Sequence, residues 1–229
     1  SLRTASPPEI ANADLSSLGL ELALWAVKPE DLAFLTPPDT TRYSDAVTLL
    51  KSLGALDIDG KITPHGKAIA SLPLHPRLGH MLTTAGRPAV ALSALLNEQD
   101  PLTSDAPCDL TLRLDLLKNA QDFAKRHSFG YQSNVLGRIK QETDRLGRMA
   151  NHVKSDLSTA QMVALAYPDR IGKRRLGEKP RYLLSSGKGA IFLSADALGQ
   201  APFIVATRMD GNRKEASIRQ AISITENEI

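Results

Sequence analysis

The sequence predicts a mainly α-helical chain that passes into β structure towards its end. Three observations predict this. Leu and Ala dominate a composition that is 42% hydrophobic but only 4% aromatic, a balance that favours helices over a β-sandwich. Apolar residues recur at helical spacing in successive stretches up to Ala166. After Tyr167 the pattern changes to short apolar runs parted by a Gly-rich turn.

The first helix is expected over Asp14 to Val27, with Leu15, Leu18, Leu22 and Trp25 on its apolar face and Asp14 able to cap it. Pro29 lies just past its end, and Pro37-Pro38 forces an extended segment. A second helix is expected over Thr40 to Leu53, with Ala46, Leu49, Leu50 and Leu53 facing a core and Gly54 as its stop. Asp59-Gly60, between Ile58 and Ile62, is a hairpin-type turn signal. Thr63 followed by Pro64 is a strong helix start, and Pro73 ends that third helix after Ala68, Ile69 and Leu72. Helix, helix, hairpin and helix make a winged-helix pattern.

Beyond Pro76 the spacing predicts helices over Arg77 to Ala85, Pro88 to Asn97, Leu110 to Lys125, Asn134 to Val153 and Ser158 to Ala166. Polar breaks separate them at Asp100 to Asp109 and Ser128 to Ser133, so a packed helical bundle is expected. Strands are expected at Arg181 to Leu184, Ala190 to Leu193 and Pro202 to Thr207, with Ser186-Gly187-Lys188-Gly189 as a turn. With nothing to close them, these strands read as a partial β-rich domain.

The net charge is +3, but its placement carries more information. Residues 1–112 hold 8 basic and 13 acidic side chains, residues 113–181 hold 15 and 7, and residues 182–229 hold 5 and 5. The basic excess in the middle third points to a polyanion partner, or to long solvated helices. Within Asn134 to Val153, Val135, Ile139, Leu146, Met149 and Val153 form the apolar stripe, while Arg138, Arg145 and Arg148 lie elsewhere. Asp144 can pair with Arg148, and Glu142 with Arg138 or Arg145, which is the ion-paired alternative to a nucleic-acid face. Arg170, Lys173, Arg174, Arg175, Lys179 and Arg181 have only Asp169 and Glu178 among them, so phosphate contact is the role that fits, with anchoring of domain packing as the other. Tyr131, Tyr167, Tyr182 and Phe192 are the nearby aromatics and read as core, which argues against base-specific recognition.

The sequence offers no catalytic constellation. Gly187-Lys188-Gly189 lacks the earlier Gly and the following Ser/Thr of a phosphate-cradling loop. His65, His75, His80, His127 and His152 form no HExxH pattern and join no cysteine cluster, so no metal site is expected. No GxSxG elbow marks a nucleophile. The single cysteine, Cys108, permits no internal disulfide and suits a reducing, cytoplasmic setting. The longest apolar run, around Ala89 to Leu96, is too short to cross a bilayer, and no membrane partner is expected. A start at Ser1 without an initiator Met reads as a fragment or a processed chain.

Several of these patterns resemble DEAH-box helicases. Pro8-Glu9-Ile10 with Asp14-Leu15 resembles the exit from the second RecA-like motor domain, and Phe34-Leu35 with Pro37-Pro38 the linker that follows. Leu53-Gly54-Ala55-Leu56, Ile62-Thr63 and Gly66 resemble the wing and its flanks. Leu72-Pro73-Leu74, Pro76-Arg77 and Met81-Leu82 resemble the start of the helicase-associated "ratchet" domain. Tyr167-Pro168-Asp169-Arg170-Ile171, Lys173-Arg174-Arg175, Arg181-Tyr182-Leu183-Leu184 and Gly187-Lys188-Gly189-Ala190 resemble the bacterial HrpB branch. The resemblance implies a motor-exit segment and winged helix over 1–76, a ratchet-like domain over 77–167 and a β-rich segment over 168–229. It implies an accessory region that grips single-stranded nucleic acid, RNA in the first instance, beside the motor domains of the same protein. ATP and Mg are implied for the parent helicase, and no cofactor for this region. The competing reading is a stand-alone winged-helix regulator of duplex DNA, with a protein-interaction scaffold third. The third helix offers only Lys67 and His65 as readers, and its surroundings are net acidic, which disfavours the regulator.

Overall fold

The computed structural model describes residues 14–33, 37–153, 155–211 and 215–229. The motifs at Pro8-Glu9-Ile10 and Phe34-Leu35 therefore lie outside, or partly outside, the described residues. The chain divides into two compact units, one up to His80 and the other Met81–Ile229.

In the first unit, α1 spans Ser16–Trp25. Asp14 accepts hydrogen bonds from the Ser16 amide and hydroxyl, satisfying a donor that the helix start leaves unpaired. Leu15, Leu20 and Leu22 are buried, whereas Trp25, expected on the apolar face, is 62% exposed. The helix ends at Ala26 in a left-handed conformation, one residue after Trp25, which turns the chain away before that ring can reach the core. Helix α2, Thr40–Ser52, is capped by Asp39, which accepts from the Arg42 amide. Gly54 follows with a φ of 67°, where a glycine stop is cheapest. The expected hairpin is reduced to one antiparallel bridge, Leu56 to Ile62, around Asp57, whose carboxylate accepts from the amides of Asp59 and Lys61. Thr63 then caps α3, Pro64–Ala70, by accepting from the Gly66 amide. Leu20, Leu50, Ala55, Leu56 and Ile69 form the core between these elements.

Helix α4, Pro76–Ala85, carries the chain past the boundary between the units. In the second unit, α5 is Val90–Asn97, α6 Leu110–Lys118, α7 Ala120–Arg126, α8 Ser133–Met149 and α9 Thr159–Ala166. The single helix expected over Leu110 to Lys125 is thus two. Asn119 breaks it by leaving helical geometry and accepting from the Asp122 amide, the local competition that makes Asn a cap rather than an interior residue. Helix α8 stops at Met149 instead of Val153. Met149 and Val153, assigned to the apolar stripe, are 42% and 43% exposed, while Val135, Leu136, Ile139 and Leu146 are buried as its core face.

The β segment is not a partial one. Strands β1 Ile171–Arg174, β2 Arg181–Leu184, β3 Gly189–Ile191, β4 Phe203–Asp210 and β5 Glu215–Ser223 close into a barrel in the ring order β1-β2-β3-β5-β4. The β3–β5 pair is parallel and the other pairs are antiparallel, the arrangement of a five-stranded OB barrel. The two strands that complete the ring, β1 and β5, are those the sequence pattern does not announce. Ile-Gly-Lys-Arg reads as a charged loop, and in β5 buried Gln220 replaces an apolar residue, accepting from the Thr207 hydroxyl on β4. Tyr182, Leu184, Ala190, Phe192, Leu198, Ile204, Ile218 and Ala221 fill the barrel. Gly172 lies tightly packed at its wall, since a Cβ there would lie 3.0 Å from Leu184 and 3.3 Å from Tyr182 and both side chains would have to give.

The helices and the barrel belong to one unit. The Cys108 amide donates to Asp196, the Ala221 amide donates to the Cys108 carbonyl, and Asp109 bridges to Ala221. Arg113 anchors the connecting loop. It is only 2% exposed, forms a two-pronged pair with Asp100 and donates to the carbonyls of Pro107 and Asp109.

Candidate nucleic-acid interface

The basic residues singled out in the sequence separate into three groups. On α8, Arg138 donates to Glu98 at 3.0 Å, and the Glu98 carbonyl accepts from Arg208 on β4, so this arginine helps to link helix and barrel. Arg145 lies about two turns further along, at the ~1.5 Å rise per residue of an α-helix, and makes a bidentate pair with Glu142 at 2.7 and 2.6 Å. Arg148 is exposed, and the pair with Asp144 does not form. Lys140, which sequence reasoning passed over, is also exposed on this helix. Its signal was a lysine between the apolar positions of the stripe.

The second group points its charge into protein. Arg170 donates to the Thr207 carbonyl at 2.9 Å and lies over the Tyr167 ring at 5.0 Å. Arg174 donates to the Gly199 carbonyl at 2.8 Å, in the short 3-10 turn Ala197–Gln200 beside the barrel. Both close the barrel, the packing use of arginine weighed from the sequence.

The third group faces outward. Lys173 pairs in register with Leu183, and Arg181 lies two residues before Leu183 on the same face of β2. Lys173 rests against the Phe203 ring at 5.6 Å, and Arg181 pairs with Glu215 on β5 at 3.2 Å. The Arg175 amide continues the ladder to the Arg181 carbonyl, so Arg175 opens the β1–β2 loop and Lys179 closes it. Lys173, Arg175 and Lys179 are exposed, and among the described residues no carboxylate forms an ion pair with any of them. Leu176 at the loop tip is fully exposed, as is much of Leu193 near Pro180. Phe203, the register partner of Lys173 on β4, is half-buried, whereas Tyr182 and Phe192 are inside the barrel.

The other reactive side chains are held in unreactive states. Burial and the neighbouring Asp196 push the Cys108 thiol up to about 11, so it is a protonated thiol near neutrality. The Gly187-Lys188-Gly189 segment is the tight turn between β2 and β3, with Gly187 at a φ of 80°. Among the described residues no cluster of three or more His, Cys, Asp or Glu could hold a metal ion, and no helix is long and apolar enough to cross a membrane.

Residues 46–74 match the model of the helicase-associated domain (HA2), winged-helix. The ATP-dependent RNA helicase HrpB of Escherichia coli K12 is 30% identical over 207 residues, which cover 88% of this chain and 23% of that protein. The DExH-box ATP-dependent RNA helicase DExH3 of Arabidopsis thaliana is 37% identical over 98 residues, 42% of this chain and 8% of its own. The crystal structure of the E. coli DExH-box NTPase HrpB superposes with a TM-score of 0.75 at 29% identity, covering 97% of this chain and 26% of that one. The chain thus spans about a quarter of the length of the HrpB relative. The winged-helix match, the helices behind it and the barrel define an accessory region of a DEAH-box helicase. Because the likeness to HrpB runs through nearly the whole chain, barrel included, the region belongs to the HrpB type.

Proposed function

We propose that this chain is the nucleic-acid-gripping, non-catalytic accessory region of an ATP-dependent RNA helicase, whose RecA-like motor domains supply ATP and Mg binding. In this reading residues 1–76 join the motors through a winged helix, 77–167 form the ratchet-like domain and 168–229 form the β-rich domain, in a cytoplasmic protein. One observation carries the gripping role: Lys173, Arg175 and Lys179 stand exposed, and among the described residues without acid partners, at the β1–β2 end of an OB-type barrel, where such barrels meet oligonucleotides. Arg148 and Lys140, exposed on α8 and without an ion pair among the described residues, are a second set of cations. The ring beside these cations, Phe203, is half-buried and lies under Lys173, so contact falls on phosphates, which position a strand without reading its bases.

The test is affinity for single-stranded RNA against salt concentration. Each lost phosphate contact reduces the logarithmic salt slope by about 0.7 for a single strand, so replacing Lys173, Arg175 and Lys179 together with Ala flattens it by roughly two units. Oligonucleotides of different sequence weaken equally. Arg174→Ala, which removes a bond to a barrel carbonyl, lowers the melting temperature instead. An unchanged slope in the triple variant, with a loss in Lys67→Ala, would replace this reading with the duplex-binding regulator.

A further inference from the structure

Burial alternates along β2, with Tyr182 and Leu184 buried and Arg181 and Leu183 exposed, so Leu183 stands on the outer wall of the barrel. It is 50% exposed, and the register shows what lies beside it. Its partner on β1 is Lys173, which also pairs with Phe203 of β4 and rests against that ring, on the side of β1 away from Leu183. Its partner on β3 is Gly189, which has no side chain to cover it. Two residues along β3, half-buried Ile191 pairs with Arg181 and so shares the outer wall. A diagonal neighbour of this kind is within reach of a long side chain. Leu193 follows the buried Phe192, whose amide donates to the Pro180 carbonyl, and is 66% exposed.

A single exposed leucine needs no explanation. Here the exposed apolar side chains are interleaved with cations. Lys173 is next to Leu183, Arg175 continues β1 by donating its amide to the Arg181 carbonyl, and Lys179 precedes Pro180. Glu215, the register partner of Gly189 on β5, is paired with Arg181, which offsets its charge. An apolar protein surface would suit the leucines but leave the cations without partners. A single strand of nucleic acid suits both, because it offers phosphates to the cations and flat base faces to the leucines. In a duplex those faces are covered by stacking, so the combination selects an unpaired strand.

We propose, on the reading of this part of the barrel as a single-strand interface, that Leu183, with Ile191 and Leu193, seats the faces of unpaired bases while Lys173, Arg175 and Lys179 hold the phosphates. The seat adds to phosphate gripping a contact that salt does not screen. An aliphatic surface covers a base face without bonding to the base edges, so it favours a strand with bases over one without them and does not select among sequences.

The test uses the 229-residue chain and two ligands of equal length, oligouridine and its abasic counterpart, which keeps every phosphate and lacks the bases. Affinity for each is measured against salt concentration. The parent chain is expected to bind oligouridine about fivefold to tenfold more tightly than the abasic strand, as for removal of about one leucine's exposed surface from water. Leu183→Thr combined with Leu193→Ser is expected to lose most of that preference and to keep the parent's salt slope, because no phosphate contact is removed. Leu183→Tyr, a residue suited to the outer face of a strand, is expected to bind oligouridine about threefold or more tighter than the parent, since a ring stacks better than an aliphatic chain. Equal affinity of the parent for the two strands, a preference that survives in the double variant, or a tyrosine variant no tighter than the parent would overturn the proposal. Each would assign the leucines to packing against another protein surface and leave phosphate gripping intact. A flattened slope in the double variant would overturn it as well, and failure of the parent to bind either strand would remove the gripping role and the base seat together.

Discussion

A methyl group added at Gly66 would lie 2.1 Å from the Ala55 carbonyl oxygen, well inside contact distance and against backbone that cannot step aside. Gly66→Ala is therefore expected to destabilise the first unit by roughly 3 kcal/mol or more, at or beyond the upper end of ordinary overpacking. At Gly137, exposed on α8, the same methyl meets nothing within 4 Å, and Gly137→Ala should stabilise by about 0.5–1 kcal/mol through the unfolded chain. Urea midpoints of the two variants check both signs. Arg113 presents the opposite case, a buried charge that depends on its partner. Asp100→Ala leaves the guanidinium unpaired and should cost about 3–5 kcal/mol, whereas replacing both residues with apolar ones of similar volume should recover much of that loss. A double-mutant cycle measured by denaturation separates the two outcomes.

At the scale of elements, α3 and α4 are joined by a hydrogen bond between the rings of His65 and His80, 2.7 Å long. Burial, with the neighbouring His65, lowers His80 to about 4, and burial lowers His65 as well. Between about 4 and the ordinary histidine value of 6.5, His80 is neutral when folded and charged when unfolded. The unfolded chain binds more protons there, so stability rises with pH across that window and is lost as pH falls towards 4. Asp14 acts in a lower range. Burial opposes its charge, but the bonds from His75 and Ser16 prevail and hold its carboxyl well below the carboxylate range, so its contribution is lost only at more acid pH. Urea midpoints of the parent chain and of His80→Gln, taken from pH 4.5 to 7, should show the steeper dependence in the parent. The helix starts were legible because Thr63-Pro64 and Ser158 cap by local chemistry, in bonds to Gly66 and Gln161 three residues on. Strands β1 and β5 were not, because each also pairs with a strand distant in sequence, β1 with β4 and β5 with β3, and their burial is decided by the closed ring. The same holds for the basic residues. Their clustering was plain in the sequence, but the separation of Arg174, bonded to Gly199, from Lys173, one residue earlier and exposed, follows from the alternation of a strand that the pattern did not reveal.

For the whole molecule, the helices and barrel of Met81–Ile229 share one unit, pinned through Cys108, Asp109, Glu98 and Arg208. Residues 168–229 should therefore not unfold ahead of the helices before them. The near-ultraviolet signal of barrel Tyr182 and the protection of α8 amides from hydrogen exchange should disappear in the same transition, apart from that of the first unit. Loss of the barrel signal while α8 stays protected would show the two to be separate. The ring order of the barrel has one more consequence. Each of its five strands has two neighbours, but β1 and β3 are short, so among the described residues 206–210 of β4 and 218–223 of β5 run past them with a strand on one side alone. Association by borrowing a strand, whether with a partner, a swapped copy or a growing fibril, is therefore confined to those two strand ends, and along the rest of the ring recognition falls to side chains.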